Sequence, residues 1–115
     1  MAFEPEDVRV AVWIAGQPVE IRNLPDVRDH DTARDLADRY GGRSVRARGH
    51  MIRLTYEGAF LLALLSLAMT RPAATFGQVL QIAAVTEWDC IDAGLRVMEL
   101  SGYFDEGDAH ARLQS

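Results

Sequence analysis

Apolar residues occupy every helical face of one stretch of the chain, Ala59–Met69, and this stretch constrains the fold most strongly. It is eleven residues long, and Ser66 is its one polar member. A helix that is apolar all round must be buried, either in a protein core or in a membrane. Because Glu57 and Arg71 flank it closely, the stretch falls well short of the roughly 20 residues that a membrane span requires. We therefore expect a core helix within Leu54–Thr70 and no membrane partner.

Residues that favour helix termini mark both ends of this helix. Thr55 is a suitable N-cap, since its hydroxyl oxygen can accept a hydrogen bond from a backbone N–H of the first turn. Pro72 prevents the following residues from continuing the helix. Four large side chains of the helix should be almost inaccessible to solvent, namely Phe60, Leu61, Leu64 and Leu65.

The residues before this helix carry the signals of a hairpin and a shorter helix. Val8–Ile14 alternate apolar and other residues with the period of a half-buried strand, and Val19–Ile21 resume the alternation after a turn. A helix is expected next, with Asp29 or Asp31 as its N-cap and with Gly41 after its end. Its apolar stripe, at helical spacing, consists of Ala33, Leu36, Ala37 and Tyr40.

A short basic stretch, Arg43–Arg53, interrupts a chain that is otherwise acidic. It holds four arginines, one histidine and no acid, whereas the whole chain has a formal net charge of −5. A third strand, or a small hairpin kinked at Gly49, is expected here, with Arg46, Arg48 and His50 on one face. These cations either contact phosphate or an acidic partner, which suits the forked guanidinium group, or pair with the chain's own carboxylates. The candidate residues are Arg43, Arg46, Arg48, His50 and Arg53.

Capping signals divide the C-terminal half into further helices. Thr75–Gln78 form a T-x-x-Q capping box, and the apolar residues after it predict a short helix. A third helix is expected over Thr86–Ser101, ended by Gly102 and by Tyr103 packed back on the helix in a Schellman motif. Asp105–Asp108 would then form the turn of a short hairpin.

This order of elements resembles a winged helix-turn-helix domain of the bacterial transcription-regulator type. The resemblance rests on the LT that opens the apolar helix, on RPAATFGQVLQIAAV and on TEWDCIDAGLRVMELSGYF. It covers about the last half of the chain. It implies a third helix that lies in the DNA major groove and a wing that contacts the DNA backbone.

The outward face of the third helix departs from that family at the residues that would contact DNA. Helices that bind DNA present basic and amide side chains to phosphates and base edges. Here the face is acidic, and its one arginine, Arg96, has Asp92 and Glu99 at helical spacing. We expect this face to bind a protein, with Trp88 as the apolar anchor; alternatively, Trp88 packs against the N-terminal part or the wing of its own chain. The predicted partner-binding residues are Trp88, Asp89, Asp92, Arg96 and Glu99.

The sequence carries no motif for catalysis, metal binding or cofactor binding. The three histidines lie far apart in sequence and share no ligand spacing with Cys90, the one cysteine. Cys90 falls on the apolar side of its helix, where a cysteine is typically a packing residue rather than a nucleophile. We therefore expect no enzymatic activity, no metal and no cofactor. A lone cysteine forms no internal disulfide, which favours a cytoplasmic location.

The sequence thus predicts an α+β fold in which a ββαβ part, residues 1–53, packs on a three-helix, winged-helix-like part, residues 54–115, as one unit. The favoured function is that of a small acidic adaptor or inhibitor, of the kind that phages or mobile elements encode, directed at a nucleic-acid-handling complex. Its partner would be a basic or nucleic-acid-binding protein, direct DNA binding would be weak or absent, and a homodimer is compatible with this interpretation. The alternative is a transcription regulator that contacts DNA through Arg43–Arg53.

Overall fold

The computed structural model describes residues 7–103 of the chain. A two-residue turn joins the first two strands. The strands β1, Arg9–Ile14, and β2, Gln17–Arg22, pair antiparallel. Ala15–Gly16 form the turn at φ 53° and 76°, and positive φ at both positions matches the twist of a two-residue hairpin. The predicted hairpin is confirmed, and its alternation leaves Ile14 buried and Trp13 exposed.

The first helix, α1, spans Val27–Tyr40 and begins earlier than predicted. Its N-cap is Asp26, whose carboxylate accepts a hydrogen bond from the backbone N–H of Arg28 at 2.9 Å. The prediction of Asp29 or Asp31 as the cap is wrong, because three aspartates of equal capping strength lie close together and Asp29 is already in the first turn. The buried members of the predicted apolar stripe are Ala33 and Ala37.

The basic stretch forms a second hairpin, so the predicted ββαβ order becomes ββαββ. The strands β3, Ser44–Ala47, and β4, His50–Arg53, pair antiparallel around a two-residue turn at Arg48–Gly49, with φ 52° and 76°. A backbone hydrogen bond from Leu54 N–H to Arg43 C=O, at 2.9 Å, continues the ladder beyond the strands. The hairpin alternative with its bend at Gly49 is therefore confirmed, and the single strand is not.

This turn also decides which side chains share a face. Because the turn holds two residues, Ala47 pairs with His50. Every side chain of β4 therefore lies on the opposite face from the one it would have in a single continuous strand. The predicted common face of Arg46, Arg48 and His50 is therefore wrong. The outer face of the hairpin consists of Ser44, Arg46, Met51 and Arg53, and its inner face includes Val45, Ala47 and Ile52.

The apolar stretch forms the second helix, α2, over Tyr56–Ala68. Its N-cap is Thr55 as predicted, and the hydroxyl oxygen accepts a hydrogen bond from Gly58 N–H at 2.9 Å. Eight of the thirteen residues are buried, which makes α2 the centre of the core. Within residues 7–103, no helix is long and apolar enough to cross a membrane.

Three of the four side chains predicted to be inaccessible in α2 are buried. Leu64 and Leu65 have no exposed surface, and Leu61 retains 8%. Phe60 is only partly buried, contrary to the prediction, because its ring lies at the edge of the core against Tyr103.

A short strand after α2 joins the two parts of the chain, and the sequence pattern does not predict it. The strand β5, Met69–Arg71, pairs antiparallel with β2, which gives a sheet of order β1-β2-β5. It has only three residues and follows an apolar helix, so it carries no alternation of its own. Together with α1 packed on α2, this strand makes residues before and after position 53 share one hydrophobic core.

The last helix, α3, spans Phe76–Leu100 and includes both of the later helices that the sequence predicts. A capping box between Thr75 and Gln78 begins it, as predicted. Thr86, at φ −141° and ψ 69°, is not helical and divides α3 where the third helix was expected to begin. Residues 54–103 therefore contain two helices, α2 and α3, in place of the three that were predicted. The second of them, α3, is broken at Thr86.

A Schellman motif ends α3 as predicted. Tyr103 N–H donates to the carbonyl of Met98 at 3.0 Å, and Gly102 N–H donates to the carbonyl of Glu99 at 3.2 Å. Gly102 has a φ of 82°, a conformation that this motif requires and that glycine adopts without strain. The predicted hairpin with its turn at Asp105–Asp108 lies outside the described residues.

Candidate functional site

Trp88 is the most exposed large apolar side chain among residues 7–103. It follows the break at Thr86 by two positions, and 77% of its surface is accessible to solvent. It is therefore not buried by the described N-terminal part of its own chain. Its role as a partner anchor stays a prediction.

A groove of about 460 Å³ lies between Trp88 and strand β4 of the second hairpin. One wall is β4, with His50, Met51 and Arg53, and the other wall is α3 on both sides of its break, with Val85 and Trp88. The two candidate sites of the sequence, the basic stretch and the third helix, are therefore adjacent in space.

A second groove of about 260 Å³ lies on the other side of Arg53 and Trp88, between the start of α2 and α3. Its lining includes Glu57, Leu61 and Ile91. Arg53, Glu87 and Trp88 line both grooves, so they form the ridge that separates them. We call the ridge and its apolar neighbours the Trp88 surface, which consists of Met51, Arg53, Val85, Glu87 and Trp88.

The cations of the second hairpin are exposed and make no ion pair with any described residue. The ion pairs in residues 7–103 involve four other arginines, Arg9, Arg28, Arg34 and Arg96. The sequence left open whether these cations pair with the chain's own carboxylates. Within residues 7–103 they form no such pair. We call these cations the basic hairpin, which consists of Arg43, Arg46, Arg48, His50 and Arg53.

Two acidic residues of the predicted site, Asp89 and Asp92, line a groove that Trp88 does not line. Asp89, Asp92 and Arg96 line a third groove, of about 290 Å³, opposite Trp13 of β1. Trp13 is 67% exposed and is a candidate binding residue that the sequence reasoning missed, although the alternation already placed it on the outer face of its strand. Arg96 is ion-paired with Glu99 at 3.0 Å, so its charge is largely compensated, as its spacing predicts.

Asp89 has a structural role in addition to its place on this surface. Its carboxylate accepts a hydrogen bond from the backbone N–H of Ala15 at 3.0 Å, which fastens the turn of the first hairpin to α3. This bond, and a further one from the side chain of Thr86, lower the pKa of Asp89. Asp89 therefore stays ionised at neutral pH and also holds the two elements together.

The remaining candidate groups for chemistry are held in structural contacts. Cys90 has no exposed surface, and burial raises the pKa of its thiol to about 12, so the thiolate is not formed at neutral pH. His30 donates from Nε2 to the carbonyl of Leu24 at 2.6 Å, and its Nδ1 accepts from the hydroxyl of Tyr103. Among residues 7–103, no group of three or more His, Cys, Asp or Glu side chains is arranged to hold a metal ion.

Comparison of the chain with protein-family models, with curated proteins and with solved structures found no match. In the described residues, the surface of the protein presents an indole ring, unpaired guanidinium groups and carboxylates at the rims of open grooves. Such groups bind a macromolecule by apolar contact and complementary charge.

Proposed function

We propose that this protein is a non-enzymatic binding protein, an adaptor or inhibitor, that recognises a protein partner through the Trp88 surface. The observation that carries the proposal is an indole ring that is 77% exposed on the ridge between two grooves. Tryptophan is enriched among the residues that contribute most to protein–protein binding, because it buries a large apolar area in one contact. A ring held on a rigid helix also loses little conformational freedom on binding.

The charges around Trp88 support a protein rather than a nucleic acid as the partner. Glu57 and Glu87 line the grooves beside Trp88, and Asp92, one turn further along α3, lines the neighbouring groove at Trp13. These carboxylates would repel a phosphate backbone that followed the helix, but they suit a partner with basic side chains. We propose a cytoplasmic partner of that kind, such as a nucleic-acid-handling protein.

We further propose that residues 54–115 are a winged-helix derivative whose third helix serves protein recognition. Support comes from the order of α2, β5 and the two segments of α3, which is that of helix, strand, helix and helix. The break at Thr86 falls where a helix-turn-helix has its turn. The acidic face after the break supports a protein contact in place of the DNA contact of that family.

The chain offers a matched test of the anchor, because it has a second exposed tryptophan on another surface. Trp88→Ala and Trp13→Ala are compared after circular dichroism has shown that both fold. For a partner recovered from a native lysate and then purified, Trp88→Ala should lower the affinity by about 2 kcal/mol, roughly thirtyfold, in calorimetry. Trp13→Ala should have a much smaller effect. Equal affinity of Trp88→Ala and the unaltered protein would contradict the proposal.

A second candidate function is DNA binding through the basic hairpin. It is favoured by one observation, the absence of ion pairs at its five cations within residues 7–103. If the protein is instead the protein-binding adaptor or inhibitor proposed first, it should retain duplex DNA only weakly at physiological salt. Tight binding that falls steeply with salt, is lost in Arg46→Ala with Arg48→Ala and persists in Trp88→Ala would support this second function instead.

A further inference from the structure

One edge of strand β1 is unpaired within the described residues, because the order of its sheet is β1-β2-β5. Ile14 pairs with Gln17 beside a two-residue turn, so these two residues exchange the first hydrogen bonds of the hairpin. The bonds to β2 then fall on every second residue, and the backbone N–H and C=O groups of Arg9, Ala11 and Trp13 point away from β2. These groups make no hydrogen bond to any described residue outside the hairpin. They are therefore available to a further strand.

The groove of about 290 Å³ at Trp13 lies along this edge. We call it the Trp13 groove, and its lining residues are Val12, Trp13, Asp89, Asp92, Ala93 and Arg96. Consecutive residues of a strand point to opposite faces of its sheet, so a groove lined by both Val12 and Trp13 includes the edge of β1. The opposite wall is α3, which adjoins β1 at the turn, where Asp89 accepts a hydrogen bond from the N–H of Ala15.

The charges of the Trp13 groove favour a basic occupant. Asp89 and Asp92 bring two carboxylates to it, whereas its one cation, Arg96, is ion-paired with Glu99 at 3.0 Å. The indole ring of Trp13 is 67% exposed, and the face of an indole ring attracts a cation. Carboxylates beside an open aromatic ring suit the ammonium group of lysine or the guanidinium group of arginine.

We propose that the Trp13 groove binds an extended segment of a protein partner, which adds to the free edge of β1 as a further strand and places an arginine or lysine side chain beside Trp13 and Asp92. Hydrogen bonds to the backbone of the edge would give this segment its affinity, and the groove would select its side chain. A nucleic acid fits less well, because the two carboxylates would repel its phosphates. No residue of the Trp13 groove lines either groove beside Trp88, so the two sites can be occupied by different proteins.

A synthetic peptide tests the site without a partner from a lysate. The peptide Thr-Val-Arg-Val-Thr, blocked at both ends, is titrated into the whole chain and followed by NMR. We expect a Kd of about 1 mM or below, with the largest amide shifts at Arg9, Ala11 and Trp13. A peptide with glutamate in place of arginine should bind at least about tenfold more weakly.

A second pair of peptides tests the addition of a strand. Only every second amide of an added strand faces the edge that it joins. N-methylation of one alternate set of peptide amides should therefore abolish binding, whereas N-methylation of the other set should leave the affinity nearly unchanged.

Two variants with matched controls test the groove residues. Trp13→Ala should weaken binding of the arginine peptide about fivefold, and Asp92→Asn about threefold. The controls are Trp88→Ala and Asp35→Asn, since neither residue lines the Trp13 groove, and both should bind the peptide as the unaltered protein does. Circular dichroism first shows which variants fold. Asp92→Asn changes an exposed side chain of a helix, so it keeps the test valid if Trp13→Ala does not fold.

Several outcomes would overturn the inference. These are no binding at about 5 mM peptide, equal binding of the arginine and glutamate peptides, and equal binding of the two N-methylated peptides. Amides of Arg9, Ala11 and Trp13 that resist hydrogen exchange before any peptide is added would also overturn it, because another part of the chain or a second copy would then cover the edge. Failure of the proposed function is distinguishable, because it shows as partner affinity that Trp88→Ala leaves unchanged, whatever the peptide does.

Discussion

The crossing of α2 and α3 depends on a glycine, and its replacement by alanine is expected to destabilise the fold. Gly94 is buried in α3, where the backbone of Leu61 approaches it directly. A Cβ added at Gly94 would lie 2.6 Å from the carbonyl oxygen of Leu61, 2.9 Å from its Cβ and 3.0 Å from its carbonyl carbon. Two of these three atoms belong to the backbone of a buried helix, so a side-chain rotation cannot relieve the contact and the helices must separate.

The magnitude follows from two opposing effects. Overpacking of a filled core costs about 1–3 kcal/mol, and a contact with backbone puts Gly94→Ala at the upper end of that range. Alanine is also the better helix former and returns up to about 1 kcal/mol. We expect a net loss of about 2 kcal/mol in the free energy of unfolding. Gly77 in the first turn of α3 is the matched control, since the nearest atom to its added Cβ is 3.9 Å away.

Urea denaturation of both variants and the unaltered protein, at one protein concentration, measures the effect. Gly94→Ala should lower the midpoint with an unchanged m-value, whereas Gly77→Ala should leave it unchanged or raise it. In thermal unfolding, the loss corresponds to about 4 °C for each kcal/mol in a domain of this size. If Gly94→Ala proves as stable as Gly77→Ala, the close approach of α2 and α3 at this position is refuted.

Two predictions concern ionisable groups. Hydrogen bonds from the side chain and backbone of Arg28 lower the pKa of Asp26 to about 2 from an ordinary 3.8, so its stabilising contribution is complete above about pH 4 and is lost as the pH falls towards 2. Asp26→Asn should therefore show a shallower loss of stability than the unaltered protein between pH 4 and 2 in acid denaturation, and parallel curves would contradict the lowered pKa of Asp26. Cys90, with a pKa raised to about 12 by burial, should react slowly with a thiol reagent at pH 8 and rapidly in denaturant. Rapid reaction of the native protein would show that the thiol is accessible.

Features that depend on a few neighbouring residues could be predicted from the sequence. Alternation predicts the first hairpin, and an apolar run predicts the buried helix α2, because side-chain direction follows the period of the element. The caps at Thr55 and Thr75 and the end at Gly102 are likewise local, since each contact joins residues within one or two turns. The exposed position of Trp88 follows from helical periodicity in the same way.

Features that join distant residues were decided by the tertiary structure alone. β5 exists because Met69 pairs with Ile21 of β2, and three residues carry no signal for a partner so far away in the chain. The face of Met51 depends on a two-residue turn at Arg48–Gly49, which lacks the usual Asn-Gly or Asp-Gly signal. The meeting of Arg53 and Trp88 at one ridge depends on how the second hairpin packs beside α3. Local periodicity assigns each side chain to a face of its own element, and only packing determines which faces become neighbours.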